Sequence, residues 1–441
     1  MKNTFRFLTL TALLATATLT GCNDKLDIEP VDRIDSAKAL NTSADVEAAL
    51  VGAYSALSSN RLYAGYIQFT SELLGDAGEI SFVGTFTQPR EYIQKTVITN
   101  NTFAAGTWLD AYQTINIANN VLANIDKVST ARRDRVEGEA RFIRAALYFE
   151  LVRLYAKDWS NGSPQANPGV PLVLSPTLTL GATNQVARNT VAEVYTQVLS
   201  DLTTAEAKLP VTNGFFATRG AAAGMLSRVY LQQRRYAEAA QAANRVITSN
   251  RYSLTGTYAE EFTTTTNTSE DIFAIQITSQ DGINDLNTYF SPAQRGDIEV
   301  QEDHLNLYEA DDERGAFFDD VYTLKFDNQY GNVKVMRLAE LYLTRAEANL
   351  RAGTTLGATP LADVNRIRAR AGLSALTSVT LVDILKERRL ELAFEGFRLW
   401  DAKRNNETVG TLAATDDRLV LPIPQRERDV NPTLVQNPGY N

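Results

Sequence analysis

Between Val136 and Leu154 one apolar stripe runs without interruption: Val136, Ala140, Ile143, Leu147, Leu151 and Leu154 recur at steps of four, three, four, four and three residues. Only an α-helix puts such positions on one face, and a stripe of that length must be covered by another element. The pattern therefore predicts a long helix, paired with a second over 108–125 across the polar turn at 129–132. The same signal recurs along the chain. Val46, Ala49, Leu50, Ala53 and Leu57 mark a first helix with Thr42 or Ser43 as its cap. Further helices are expected over 191–208, 221–233 and 236–248, over 335–351 and 361–371, and finally over 381–403.

These are helix–turn–helix units, so the chain reads as mainly α, an α-solenoid-like scaffold. The spacing of Tyr230, Tyr236, Ala239 and Ala243 follows the aromatic-and-small alternation of tetratricopeptide repeats, although any helical hairpin packs an aromatic into a gap left by alanine. Two long segments, 60–105 and 251–334, differ in character. They are rich in Thr, Ser, Gly, Asn and aromatics, with only short strand-like runs such as 272–277. Loops of that length are functional or disordered, and the aromatic content argues against disorder. They are the expected ligand-binding insertions.

The only cysteine, Cys22, follows an apolar run near the start of the 441 residues. Lys2 and Arg6 precede a stretch over 7–19 that matches the roughly 7–15 apolar residues of a signal peptide and falls short of the roughly 20 that span a bilayer. Its end, Leu19-Thr20-Gly21-Cys22, resembles the lipobox of bacterial lipoproteins. That resemblance implies removal of 1–21 and acylation of Cys22; an ordinary signal, cleaved or uncleaved, is the other possibility. Residues 22–41 are then a lipidated N-terminus and solvated tether, and 42–441 a single domain. Without 1–21 the chain keeps 41 basic against 52 acidic residues, a net charge of −11, which disfavours nucleic acid as a partner. No disulfide is available, so stability must come from packing.

The motifs of several enzyme classes are missing: HExxH, GxSxG, GxxxxGK(S/T) and CxxC do not occur, and one histidine, His304, cannot build a His-rich metal site. No metal and no cofactor are expected, and His304 is expected at the surface or hydrogen-bonded. On the helix over 381–403, Arg388, Glu391, Glu395 and Arg398 fall at i, i+3, i+7 and i+10, one face with charge order plus, minus, minus, plus. Two glutamates four apart offer the acid and base of a glycosidase. An arginine one turn from each keeps them ionised instead, so the four are expected as a structural ion network.

KERRLELAFEGFRLWDAKR (386–404), RLAELYLTRAEANLRAG (337–353), DVNRIRARAGL (363–373), LPIPQRERDVNPTLVQNPGY (421–440), ARFIRAALYFELVRLYA (140–156) and CNDKLDIEP (22–30) together resemble the SusD/RagB family of outer-membrane nutrient-binding lipoproteins. The resemblance implies tetratricopeptide-like helix pairs in a right-handed superhelical scaffold with a loop-rich ligand-binding half. It also implies a lipid-anchored, cell-surface position in the outer membrane, over a SusC-like TonB-dependent barrel to which an oligosaccharide or polysaccharide is delivered without chemistry on it.

Sugars are bound by stacking on exposed rings, with acids and amides at their hydroxyls. Trp108, Trp159 and Trp400 are all expected in packing roles, unlike the exposed tryptophans of starch binders. The expected ligand contacts are Asp76, Glu79, Phe82, Phe86 and Arg90 in the first insertion and Asn287, Tyr289, Phe290, Arg295 and Asp297 in the second. Binding of peptides or other nutrients, a carboxylate-dependent hydrolase and a protein-binding helical adaptor are the competing functions.

Overall fold

Thr42 opens the first helix by a reciprocal cap: its hydroxyl accepts from the Asp45 amide at 3.3 Å, and its own amide donates to the Asp45 carboxylate at 2.8 Å. Thr190 with Glu193 and Thr380 with Asp383 build the same box at two later starts. The computed structural model describes residues 40–178, 181, 185–280, 282 and 284–440, nearly all of them within one unit, Thr42–Asn441. The expected signal peptide over 1–21, the expected anchor at Cys22 and the expected tether as far as residue 39 lie outside the described residues.

Among the described residues, fifteen α-helices make up most of the regular secondary structure. They are α1 Ser43–Leu57, α2 Tyr66–Gly75, α3 Thr87–Gln94, α4 Thr102–Ala123, α5 Thr130–Tyr155, α6 Val191–Lys208, α7 Arg219–Gln232, α8 Tyr236–Ile247, α9 Asp285–Phe290 and α10 Glu302–Leu305; then α11 Leu338–Ala352, α12 Pro360–Arg370, α13 Leu381–Glu391, α14 Arg398–Asn405 and α15 Gln425–Val430. Chain neighbours pack on each other from α4 through α8, and α8 continues against α11, which also carries α12 and α13. The stripe of α5 is wholly buried, and its other faces are covered as well from Phe142 to Tyr155.

Six short strands, β1 Ile80–Phe82, β2 Asp271–Ile275, β3 Ile298–Val300, β4 Phe318–Asp319, β5 Tyr322–Thr323 and β6 Val333–Arg337, form three antiparallel pairs: β1 with β3, β2 with β6 and β4 with β5. The β1–β3 pair, with Ile80 opposite Val300 and Phe82 opposite Ile298, joins the two insertions.

Three expectations are corrected. The helix expected over 335–351 starts at Leu338, because Val333 to Arg337 pair with β2. The first insertion contains the ten-residue helix α2, buried on every side and therefore without the one-sided periodicity that marks a helix in sequence. The last helix is broken: α13 ends at Glu391 and α14 begins at Arg398. Between them Phe394 and Gly396 have φ of 67° and 88°, and the buried Glu72 carboxylate accepts from the amides of Gly396 at 2.8 Å and Phe397 at 2.9 Å. A left-handed pair of residues cannot continue an α-helix.

Arg388, Glu391, Glu395 and Arg398 therefore do not share one helical face. Glu391 and Glu395 find their cations elsewhere. Arg337 donates to Glu391 Oε1 at 2.8 Å, to Glu395 Oε2 at 2.7 Å and to Glu270 Oε1 at 2.6 Å. Lys325 Nζ donates to Glu395 Oε1 at 2.6 Å and to the carbonyls of Glu391 and Ala393. Arg370 bridges Glu270 and Glu391. Arg388 instead pairs with Asp401 at 2.8 Å, and Arg398 with Glu407 at 3.0 Å. Burial by itself would raise the Glu391 carboxyl; Arg370, Arg337 and Arg314 outweigh it and hold that group well below the usual carboxylate range.

Candidate ligand-binding face

Where the two insertions meet, the chain builds an aromatic run that reaches the surface. β1 leads through Val83 and Gly84 into α3, whose N-cap position is Phe86. The Asn101 side chain caps α4 by accepting from the amides of Phe103 and Ala104, both at 3.0 Å, and so fixes Phe103 beside Phe86. Phe86 meets Phe103 edge to face at 6.4 Å, and Phe103 stacks on Tyr66 at 4.1 Å with an interplanar angle of 12°. Tyr66 contacts Phe69 at 5.1 Å, which contacts Tyr289 at 4.9 Å. Along this run exposure falls from 41 % at Phe86, through the half-buried Phe103, to 8 % at Tyr66 and 3 % at Tyr289.

Polar groups frame the open end. The Arg295 guanidinium lies 4.1 Å from the Phe86 ring centroid, donates to Asp297 Oδ2 at 2.6 Å and reaches Thr85 Oγ1 at 3.5 Å. Arg90, one turn after Phe86 on α3, donates to the Gly84 carbonyl. Gly84 passes so close over Asp297 that a Cβ there would stand 2.3 Å from the carboxylate carbon, and only glycine permits this approach. Farther along, Asn60 Nδ2 donates to Asp285 Oδ2 at 3.0 Å, and Arg61 pairs with Asp110 at 3.4 Å. Burial raises the Asp285 carboxyl against the hydrogen bonds of Asn60 and Thr288.

The structure thus brings Phe86, Arg90, Arg295 and Asp297 together and sends the other expected contacts elsewhere. Asn287, Tyr289 and Phe290 are corrected: they are 1 %, 3 % and 0 % exposed and offer no open face to a ligand. Asn287 holds the carbonyls of Phe326 and Asp327 at 2.7 and 3.1 Å, and Phe290 packs on Phe326 and Phe394. Phe82 is buried in β1. Asp76 forms the turn after α2, accepting from the amides of Gly78, Glu79 and Ile80 at 2.8–3.0 Å. Glu79 accepts from Arg389 at 3.0 Å and is 2.8 Å from His304 Nδ1, which makes His304 a buried, hydrogen-bonded residue.

Asp76 and Glu79 border a separate cavity of about 470 Å³, walled by α13, α14 and the turn between them. Its apolar lining includes Leu385, Leu392 and Phe394, and six of its charged groups are paired with one another: Arg388 with Asp401, Arg398 with Glu407, Arg389 with Glu79. Trp108 and Trp400 are each 3 % exposed, and Trp159 is half-buried against Tyr195 at 5.1 Å. Sequence reasoning missed Phe103, Tyr66, Asn60 and Asp285. The cap signal in NNTF was the available pointer to Phe103, since an Asn two residues ahead fixes where α4 begins.

Among the described residues no helix is long and apolar enough to cross a membrane. Residues 26–231 match a family model described as starch-binding, associating with outer membrane, and residues 314–417 match the model of the SusD family. A SusD-like protein of Formosa agariphila is 27 % identical, with 98 % of this chain and 99 % of that protein aligned. A SusD superfamily protein from Bacteroides thetaiotaomicron superposes with a TM-score of 0.82 at 28 % identity, covering 90 % of this chain and all of its own. A laminarin-binding SusD-like protein superposes with a TM-score of 0.76 at 25 % identity over 91 % of this chain. Sequence at both ends of the chain and the mainly helical fold point the same way: the chain belongs to the SusD/RagB family.

Proposed function

We propose that this protein is a non-catalytic, lipid-anchored binder of glycans at the cell surface, which passes its ligand to a SusC-like TonB-dependent barrel in the outer membrane. The observation that carries the glycan reading is the aromatic face at Phe86 and Phe103, which opens where both insertions meet and has hydrogen-bonding groups along its rim. Rings beside amides, acids and guanidinium groups suit a sugar, whose C–H faces stack while its hydroxyls take hydrogen bonds. Family membership and the laminarin binding of a structural relative support the same reading. Hydrolysis by Glu391 and Glu395 is disfavoured, because both are buried among arginines and Lys325 and neither can serve as a proton donor. Anchoring through Cys22 rests on the lipobox-like LTGC.

Isothermal titration of the mature protein against parallel panels of oligosaccharides and peptides tests the ligand class. Binding within the oligosaccharide panel is expected, and binding confined to the peptides overturns it. Metabolic labelling with palmitate tests the anchor: Cys22→Ser is expected to abolish labelling, and undiminished labelling places the lipid elsewhere.

A further inference from the structure

Charge is unevenly spread along the aromatic face. At the Phe86 end stand two guanidinium groups. Arg90 is exposed, its hydrogen-bond partner is the neutral Gly84 carbonyl, and among the described residues it forms no ion pair. Arg295 keeps 35 % of its side-chain surface open while stacked on Phe86, and the buried Asp297 below it balances one of the two charges. The acids at the other end are engaged, Asp285 with Asn60 and Asp110 with Arg61 and Ser59. Glu91, next to Arg90, is engaged by Asn101 Nδ2 at 2.8 Å, so Arg90 is the charge by the exposed ring that keeps no carboxylate partner among the described residues, on a chain whose net charge is −9. At physiological ionic strength the field of remote charges is screened beyond about 8 Å, so the two nearby arginines dominate what an anionic group meets there.

We propose that the glycan held on this face is acidic, its carboxylate or sulfate seated between Arg90 and Arg295 while the sugar ring lies along Phe86. Planar guanidinium forks match the oxygens of both anions, and a free cation beside an open ring is not needed to hold a neutral sugar. The inference rests on the reading of this face as the glycan site and specifies the chemistry of its ligand.

The test titrates three hexasaccharides, a neutral β-glucan, a polyuronate and a sulfated galactan, into wild type and Arg90→Gln, with thermal melts to confirm folding. Wild type is expected to favour at least one acidic hexasaccharide, with an affinity that falls as salt is raised. Arg90→Gln should weaken that acidic ligand about tenfold more than the neutral one, the scale of one charge-assisted hydrogen bond. The uronate and sulfate arms distinguish the two sources of charge. Acid preference that survives Arg90→Gln overturns the assignment to Arg90. Equal affinity for all three hexasaccharides overturns the inference and leaves the glycan face standing. If no hexasaccharide binds the folded wild type, the glycan reading fails and this inference fails with it.

Discussion

The two places where this chain gathers arginines, carboxylates and aromatic rings have nearly the same composition and opposite exposure. Around Arg337, residues from the second insertion, β6, α12 and the turn after α13 meet in a fully buried network, with Phe262 stacked beneath the Arg337 guanidinium at 5.3 Å. Around Phe86, residues from both insertions meet at the surface, and Arg295 covers the ring at 4.1 Å. In the first, every charge was taken out of water at a cost repaid only by its partners, so removing one partner leaves a buried charge alone. In the second, Phe86 and Arg90 are exposed and Arg295 is partly so, which leaves these three groups open to a ligand. Burial, and not residue type, separates holding the fold from binding.

The sharpest way to break this comparison is Glu395→Ala. Lys325 loses its paired carboxylate and Arg337 loses one of three, and a loss of about 3–5 kcal/mol is expected in urea unfolding, with ligand affinity at low temperature unchanged. Wild-type stability in this variant shows that the network is not what joins insertion to scaffold. Next in size is Tyr289→Ala. Tyr289 lies in the same aromatic run as Phe86 but is buried against Phe69, so truncation should cost about 3 kcal/mol, read as a lowered melting temperature. Unaltered stability with weakened binding returns Tyr289 to the ligand.

These two residues also mark what the sequence disclosed. The scaffold was legible because its helices are amphipathic and capped locally: α6 runs over 191–208 as its stripe and its Thr190 cap require. Glu391 and Glu395 were legible as paired structural acids, but their partners were not. Arg337, Arg370 and Lys325 come from segments 21 to 70 residues away, and no local spacing encodes that. Gly396 was a visible break signal inside 381–403, overridden by a charge period that continued across it. Within the insertions, Phe86 and Tyr289 look alike as aromatics in polar surroundings. In the fold Phe86 sits exposed at the start of α3, while Tyr289 in α9 is buried against Phe69 from the other insertion, a contact no local spacing encodes.

Glu72 gives a smaller, pH-dependent contrast. Its carboxylate is buried, and burial pushes its pKa to about 7 against the opposing amides of Arg398, Gly396 and Phe397. A carboxyl that holds its proton more tightly when folded contributes stability that is complete below its ordinary pKa of 4.5 and lost as pH rises toward 7. Between pH 5 and pH 7 wild type should lose about 2 kcal/mol that Glu72→Gln, which does not titrate, keeps. Urea melts of both proteins at the two pH values check it, and parallel slopes dispose of the idea.

The smallest expected effect bears most directly on function. Phe86 is the exposed end of the aromatic run, so Phe86→Ala removes ligand-facing surface and little packing. Affinity for the best glycan should fall about fivefold, equivalent to about 1 kcal/mol, the scale of one lost aromatic contact. The melting temperature should hardly move, which sets this variant apart from Tyr289→Ala at the buried end of the same run. The control is Arg389→Ala, which opens the cavity beside Glu79 and leaves the Phe86 face untouched. If Phe86→Ala binds like wild type and Arg389→Ala does not, the ligand belongs in the cavity. The exposed ring would then be a neighbour of the site, and exposure alone would no longer distinguish the binding arginines from the structural ones.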